Sequence, residues 1–362
     1  MKDRWYLASR SGLFIIDAFC DGLSAQPRAA PSVGGIRKGA RVIRFRRFLN
    51  SDPPGIVEVW NESICERGAF PIHSTALFEQ MIFAKPYFDP DGLLIAEEDG
   101  QVVGFVHAAF GPNAAETAVS TDIGIICILA VHPGHRHKGI GTTLLHRAED
   151  YLRGRGAKQL IAGGMRPLNP FYFGLYGGAD SPGFLASDAA AAPFFEQQGY
   201  VGSGNCLVFE LNLEEYAPPV DSRFLSLRRK YDVQLVPQAE LKSWWQDCVM
   251  GQIEPVEFRL TDKLSGIPEA RVLAWEPSSL RQPAPPSAGL LDIQVQADVR
   301  RQGLARFLLS QLFRYIQEQY FTLVMMQVPE LNHPVVALAK SLGFEQVDTG
   351  RSFRKEKNPT SE

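Results

Sequence analysis

Cysteine is scarce in this chain. The 362 residues hold five, Cys20, Cys65, Cys127, Cys206 and Cys248, and no two of them form a Cys-x-x-Cys pair. An odd, scattered set excludes a dense disulfide framework and a cysteine-based zinc site, and it predicts reduced thiols in a cytoplasmic protein. A surplus of positive charge is also missing. Lys and Arg number 37 against 40 Asp and Glu, for a net charge of -3 and a pI of about 6.2. A nucleic-acid partner is therefore not expected, because the phosphate backbone rewards a concentrated basic surface. No apolar run approaches the roughly 20 residues that cross a bilayer, so no membrane partner is expected either.

What is present fits a globular chain, with 45% hydrophobic residues and enough length for two domains. Residues 1–40 read as an extension: Lys2 and Arg4 precede an apolar run, but Asp17 interrupts it and no sharp cleavage pattern follows. From Arg41 a strand is predicted to Phe48, then a helix after Ser51-Asp52-Pro53-Pro54, then a second helix over Ser74 to Ala84. Leu93 to His107 reads as a hairpin turning at Asp99-Gly100. Ile125 to Val131 reads as a strand buried on both faces. Further strands are predicted at Leu160-Ile161-Ala162 and Cys206 to Leu213, and a helix from Ala189 to Gln198 stops at Gly199. Pro218-Pro219 is the preferred boundary, giving domains over 41–215 and 220–356.

One device is written twice. Val131 is followed by a polar turn, Arg136-His137-Lys138-Gly139-Ile140-Gly141, and an amphipathic helix; Val295 is followed by Arg300-Arg301-Gln302-Gly303-Leu304-Ala305 and another. The copies register at a shift of 164 residues, which also superposes Leu144 on Leu308 and Tyr151 on Tyr315. A strand that ends in such a turn presents backbone N–H groups at a helix N-terminus to an anion the size of a diphosphate.

These residues resemble the GCN5-related N-acetyltransferase (GNAT) superfamily, including its Gly-Phe/Tyr endings at Gly199-Tyr200 and Gly343-Phe344. The resemblance implies an α/β (α+β) chain of two tandem folds, each a mixed, mostly antiparallel sheet of six or seven strands flanked by helices. In each, two parallel strands would part to admit the pantetheine arm of acetyl-CoA. Leu129 and Val131 would pair with pantetheine, and Arg136, His137, Lys138, Gly139, Ile140, Gly141 and Thr142 would form the diphosphate site. The equivalents are Ile293 and Val295, then Arg300, Arg301, Gln302, Gly303, Leu304 and Ala305. No metal is implied. His132, His135 and His137 crowd one turn without a carboxylate or cysteine partner.

The expected function is transfer of an acetyl group from acetyl-CoA to a primary amine of a small molecule or peptide, in a ternary complex of a monomer or homodimer. The family's usual acid, a Tyr four residues before the closing Gly, is replaced by Phe195 and Ala339. Gly139 to Gly199 spans 60 positions and Gly303 to Gly343 only 40, so the first copy carries an insertion around Asn169 to Gly178. Within it Tyr172 and Tyr176 are candidates for a replacement acid or for the acceptor pocket wall; the competing reading is that they pack the loop onto the sheet. His107 and Asp122 are candidate bases, with Glu116 in the loop before Asp122 and Asp292 in the second copy. The first copy is the expected catalyst. The two missing tyrosines motivate an alternative, a non-catalytic acyl-CoA sensor or scaffold.

Overall fold

The computed structural model describes residues 42–64, 68–237, 239–280 and 284–356. The expected extension over residues 1–40, like Cys20 and Cys65, lies outside them. The first half runs β1 (Ile43–Arg47), α1 (Pro53–Ser63), α2 (Thr75–Phe78), β2 (Leu93–Glu98), β3 (Gln101–Pro112), β4 (Val119–Val131), α3 (Ile140–Gly154), β5 (Gln159–Ala162), β6 (Phe184–Leu185), α4 (Ala191–Gln197) and β7 (Tyr200–Asn212). The second runs α5 (Arg223–Lys230), β8 (Tyr231–Val236), α6 (Trp244–Met250), β9 (Val256–Asp262), β10 (Pro268–Trp275), β11 (Ser287–Val295), α7 (Leu304–Glu318), β12 (Leu323–Pro329), α8 (His333–Ser341) and β13 (Glu345–Lys355).

Local chemistry accounts for most of these elements. Asp99 and Gly100 take φ of 52° and 82°, the left-handed pair that closes a two-residue hairpin between β2 and β3. Pro53 and Pro54 open α1, where their missing N–H groups cost nothing. Asp52 does not cap that helix with its side chain. Its carboxylate instead accepts two bonds from Arg46, at 2.7 and 2.8 Å, and one from Leu49 N. The helix predicted over Ser74 to Ala84 is split: Ser74 caps α2, and Glu79–Phe83 continues it as a π-helical turn. The apolar stripes of α3 and α7 are buried as their spacing predicts, through Ile140, Leu144, Leu145, Ala148 and Leu152 in one and Leu304, Leu308, Leu309, Leu312 and Ile316 in the other.

The strands form one sheet in the order β1-β2-β3-β4-β5-β13-β7-β12-β11-β10-β9-β8, with β6 also against β13. Only β4/β5 and β11/β12 pair in parallel; the other described pairs are antiparallel. The order holds an exchange. β13, the last strand of the second half, pairs with β5 of the first, while β7, the last strand of the first half, pairs with β12 of the second. Each half is thus finished by a strand from the other, and β7 extends six residues before the predicted Cys206 because β13 pairs with it from Tyr200 onward.

Candidate active site

The central parallel strands part at equivalent places. β4 and β5 pair over Ile123–Ile126 and Gln159–Ala162, after which Cys127–Val131 retains a strand partner only on the β3 side. β11 and β12 pair over Ser287–Leu290 and Leu323–Met326, and Leu291–Val295 then pairs only with β10. Leu290 and Met326 lie 164 residues beyond Ile126 and Ala162, the same shift as the sequence repeat. Each parted strand also carries an extra residue in its pairing to the outer neighbour, between the partners of His107 and Ala108 in β4 and of Arg271 and Leu273 in β11. Among the described residues the parted edges lack ladder partners on their inner side, except that the last carbonyls, Val131 O and Val295 O, accept from Arg136 and Arg300.

The two bends after these strands have the same backbone. Arg136 and Arg300 take φ/ψ of -65°/163° and -65°/161°. His137 and Arg301 follow at φ 60° and 61°, and Gly139 and Gly303 at 76° and 89°. In each bend an extended arginine is thus followed by two left-handed residues two positions apart, a backbone path that can turn amides toward an anion at the start of α3 and of α7. Neither N-cap glycine has a side chain to satisfy those amides. The motif arginines serve the bends themselves: Arg136 Nε donates to Val131 O at 3.1 Å and Arg300 Nε to Val295 O at 3.0 Å. Lys138 Nζ donates to Gly134 O, while His137, Arg301 and Gln302 face solvent. Ile140 and Leu304 are buried, so any ligand meets their backbone. Thr142 and Ala305 are half-buried on the first helical turns, and Leu129, Val131, Ile293 and Val295 line the parted strands.

The bends differ in what covers them. A Cβ at Gly139 would meet no described atom within 4 Å, whereas one at Gly303 would meet the Arg223 guanidinium carbon at 3.2 Å. Phe194 of α4 flanks the first bend, 3.4 Å from a Cβ at Gly141. Arg223 carried no sequence signal, because it approaches the bend from a segment outside the repeat, and Phe194 lies on a predicted helix whose contact with the bend no spacing reveals.

The candidate catalytic side chains separate into buried and exposed sets. His107 and Tyr172 do come together: Nδ1 lies 3.1 Å from the tyrosine hydroxyl, and both residues are buried. Tyr172 stacks on Trp60 at 5.5 Å, and His107 lies 4.2 Å from the Phe171 ring. Burial drives His107 down to about 3, against a smaller opposing pull from Asp89, so the ring is neutral. Burial likewise pushes Tyr172 well above the usual phenol range, with a smaller push from Cys127. Tyr176 accepts a bond from Leu185 N at 2.8 Å and is also raised by burial. The packing reading of the two tyrosines therefore describes their surroundings. Asp122 must be corrected as a base: it lies four residues before the parting of β4 and β5, is exposed, and pairs with Lys158 at 2.6 Å, whose hydrogen bond lowers its pKa.

The insertion has a further destination. It crosses to the second half, where Trp275 Nε1 donates to Ala179 O at 3.0 Å and Gln327 Nε2 to Gly177 O at 2.7 Å. A Cβ at Gly289 of β11 would lie 2.6 Å from the Ala179 Cβ, so the loop rests directly on the strand. In return α6 meets the first half: Trp245 N donates to Glu116 O, Trp245 Nε1 to Pro167 O, and Ser243 Oγ to the Glu116 carboxylate. Asp292, at φ 45°, pairs with Lys242 at 2.5 Å and Arg271 at 3.3 Å; burial alone would raise its pKa, and these partners outweigh that. Among the described residues no group of three metal-ligating side chains occurs, and no helix is long and apolar enough to cross a membrane.

Comparison with known proteins places this geometry. The model of the acetyltransferase (GNAT) family matches residues 57–176 and again 237–344. A mycothiol acetyltransferase of Saccharomonospora viridis is 23% identical over 321 residues, covering 80% of this chain and 96% of that protein. One of Cellulomonas flavigena is 35% identical over 80 residues, covering 22% of this chain and 23% of that one. Among solved structures, a tandem GNAT protein from the clavulanic acid biosynthesis pathway aligns with a TM-score of 0.62 at 18% identity, covering 88% of this chain and all of that one. A GCN5-related N-acetyltransferase from Sphaerobacter thermophilus aligns at 0.58 and 15%, covering 88% and 97%. With the family fold present once in each half, the chain belongs to the acetyltransferase (GNAT) family as a tandem acyltransferase.

Proposed function

We propose that the protein is an acetyl-CoA-dependent N-acetyltransferase in which the first half holds the donor and a small molecule or peptide supplies a primary amine. The observation that carries this reading is the uncovered bend at Gly139 beside the parted strands β4 and β5. A diphosphate fits there against backbone amides from His137 to Thr142, and the pantetheine arm fits the free edge of Cys127–Val131. The C–N bond would form as the C–S bond of acetyl-CoA breaks, with CoA leaving as the thiolate and the extra proton of the attacking nitrogen passing to solvent. A backbone N–H of that edge would polarise the acyl carbonyl and hold the charge that develops as the neutral amine attacks.

Phe195 and Ala339 stand where the family's acid is expected. A leaving thiol with a pKa near ~8.5 departs close to neutral pH without a side-chain donor, and a positioned acid would add roughly 10²–10⁴ in rate. His107 and Tyr172 are assigned a supporting role, holding the wall of the cleft on the α1 side. The relatives' name makes mycothiol-type amines natural members of an acceptor panel.

The test is thiol release from acetyl-CoA across a panel of amino sugars, polyamines, amino acids and peptide N-termini. Release with at least one amine, together with acetylated product of matching mass, supports the transferase. Tight acetyl-CoA binding with no release across the panel would favour the sensor.

A further inference from the structure

The linker between the halves ends at the mouth of the second bend. Asp221 accepts from Arg223 three times, from the backbone N at 3.0 Å, Nε at 2.9 Å and Nη2 at 2.6 Å. The same carboxylate lies 3.8 Å from Arg306 Nη1, in the first turn of α7. Although Asp221 belongs to a surface linker, its side chain is only 8% exposed. Arg223 lies over Gly303, and Phe224 packs edge-on against Phe307 at 5.2 Å, docking α5 on α7. Arg306 Nε is buried and finds no partner among the described residues.

Two guanidinium groups at the N-terminus of a fifteen-residue helix, beside a bend that shares its backbone with the first, form a strong site for an anion. Here an anionic oxygen pair is already present, supplied by the chain. We propose that Asp221 stands in for a phosphate at the second bend, so that a diphosphate gains Arg223 and Arg306 only by displacing it. The second half then binds CoA more weakly than the first. The proposal rests on the reading that these bends hold CoA. Asp221 is held down to about 2, chiefly by its bonds to Arg223, so the stand-in stays charged throughout the range in which the enzyme would be assayed. The tether makes the competition intramolecular, and a ligand must outcompete a high local concentration of carboxylate.

The experiment is calorimetric titration of the full chain with acetyl-CoA in a Gly139→Val background, which isolates the second bend, and in a Gly303→Val background, which isolates the first. Asp221→Asn keeps an oxygen for Arg223 N and removes the charge. Added to Gly139→Val, it is expected to tighten binding roughly tenfold, the worth of a released charged hydrogen bond. Further addition of Arg223→Gln should abolish that gain. An Asp221→Asn variant that binds no tighter, or an Arg223→Gln change that by itself tightens binding, overturns the proposal; circular dichroism of each variant excludes unfolding as the cause. First-bend binding with a second bend indifferent to Asp221 defeats this inference alone, and absence of binding in both backgrounds and in the unaltered chain defeats the CoA reading with it.

Discussion

Cys206 of β7 pairs with Gly350 of β13 at the centre of the sheet. Gly199 and Gly343 close equivalent helices 144 residues apart, and Cys206 and Gly350 are separated by the same interval. The flanking pairs, Asn205 with Arg351 and Leu207 with Thr349, exchange under that interval, so a pseudo-twofold relation between the halves passes through this pair. There is no room for a side chain at Gly350. A Cβ would lie 2.1 Å from Pro182 O and 2.5 Å from Pro182 Cβ. Gly350→Ala is expected to cost about 1–3 kcal/mol, the usual penalty of overpacking. Because each half is completed by a strand from the other, urea unfolding followed separately by acetyl-CoA binding and by circular dichroism should give one shared transition, moved to lower urea. Two separate transitions would count against interdependent halves.

Tyr172→Phe removes the only described partner of His107 Nδ1, whose Nε2 already lacks one. The variant should lose about 1–3 kcal/mol of stability, the cost of a buried unsatisfied group. If the pair supports the cleft wall without giving a proton, kcat should change less than tenfold and its pH profile should keep its shape. A loss of roughly 10²–10⁴ in kcat with an intact fold would instead mark Tyr172 as the acid.

Lys85 ties the halves together and is sensitive to pH. Its ammonium is buried and donates to Cys248 O at 2.6 Å and Val249 O at 2.7 Å, at the C-terminal end of α6. Burial lowers its pKa to about 8 from 10.5. A base whose pKa falls on folding is less protonated in the native than in the unfolded chain between those values, so its contribution to stability rises with pH across that window. Between pH 7 and 9.5 the gain should be on the order of 2 kcal/mol. Urea denaturation at both pH values should show it in the unaltered protein and lose it in Lys85→Met. An equal pH dependence in both proteins would remove Lys85 as the source.

The repeated bends were legible because their requirements fall on few residues: an arginine that ties back to the strand end, and a glycine at φ near 80°. The parting of the strands followed from the family resemblance, and the 164-residue shift located both copies. The strand exchange was not legible, since β7 and β13 present compatible edges and only the rest of the fold decides which neighbour each takes. Asp122 misled for a related reason. Its position before a buried strand says nothing about which end of that strand parts from its neighbour. The insertion was visible as a length difference, but its docking on Gly289, Trp275 and Gln327 depends on glycines and carbonyls that carry no pattern in one dimension.

The donor site is tested most directly by titrating acetyl-CoA into the unaltered protein, Gly139→Val and Gly303→Val, with thiol release measured on the same preparations. A valine at Gly139 meets a φ of 76° that strains it by roughly 1–3 kcal/mol and puts its methyl groups in the mouth of the bend. The expected result is loss of the tighter binding event and of at least roughly 90% of turnover in Gly139→Val, since a deficit of ~1.4 kcal/mol is already tenfold, with turnover largely retained in Gly303→Val. Equal loss of turnover in both variants, or unchanged acetyl-CoA affinity in Gly139→Val, would contradict the placement of the donor in the first half.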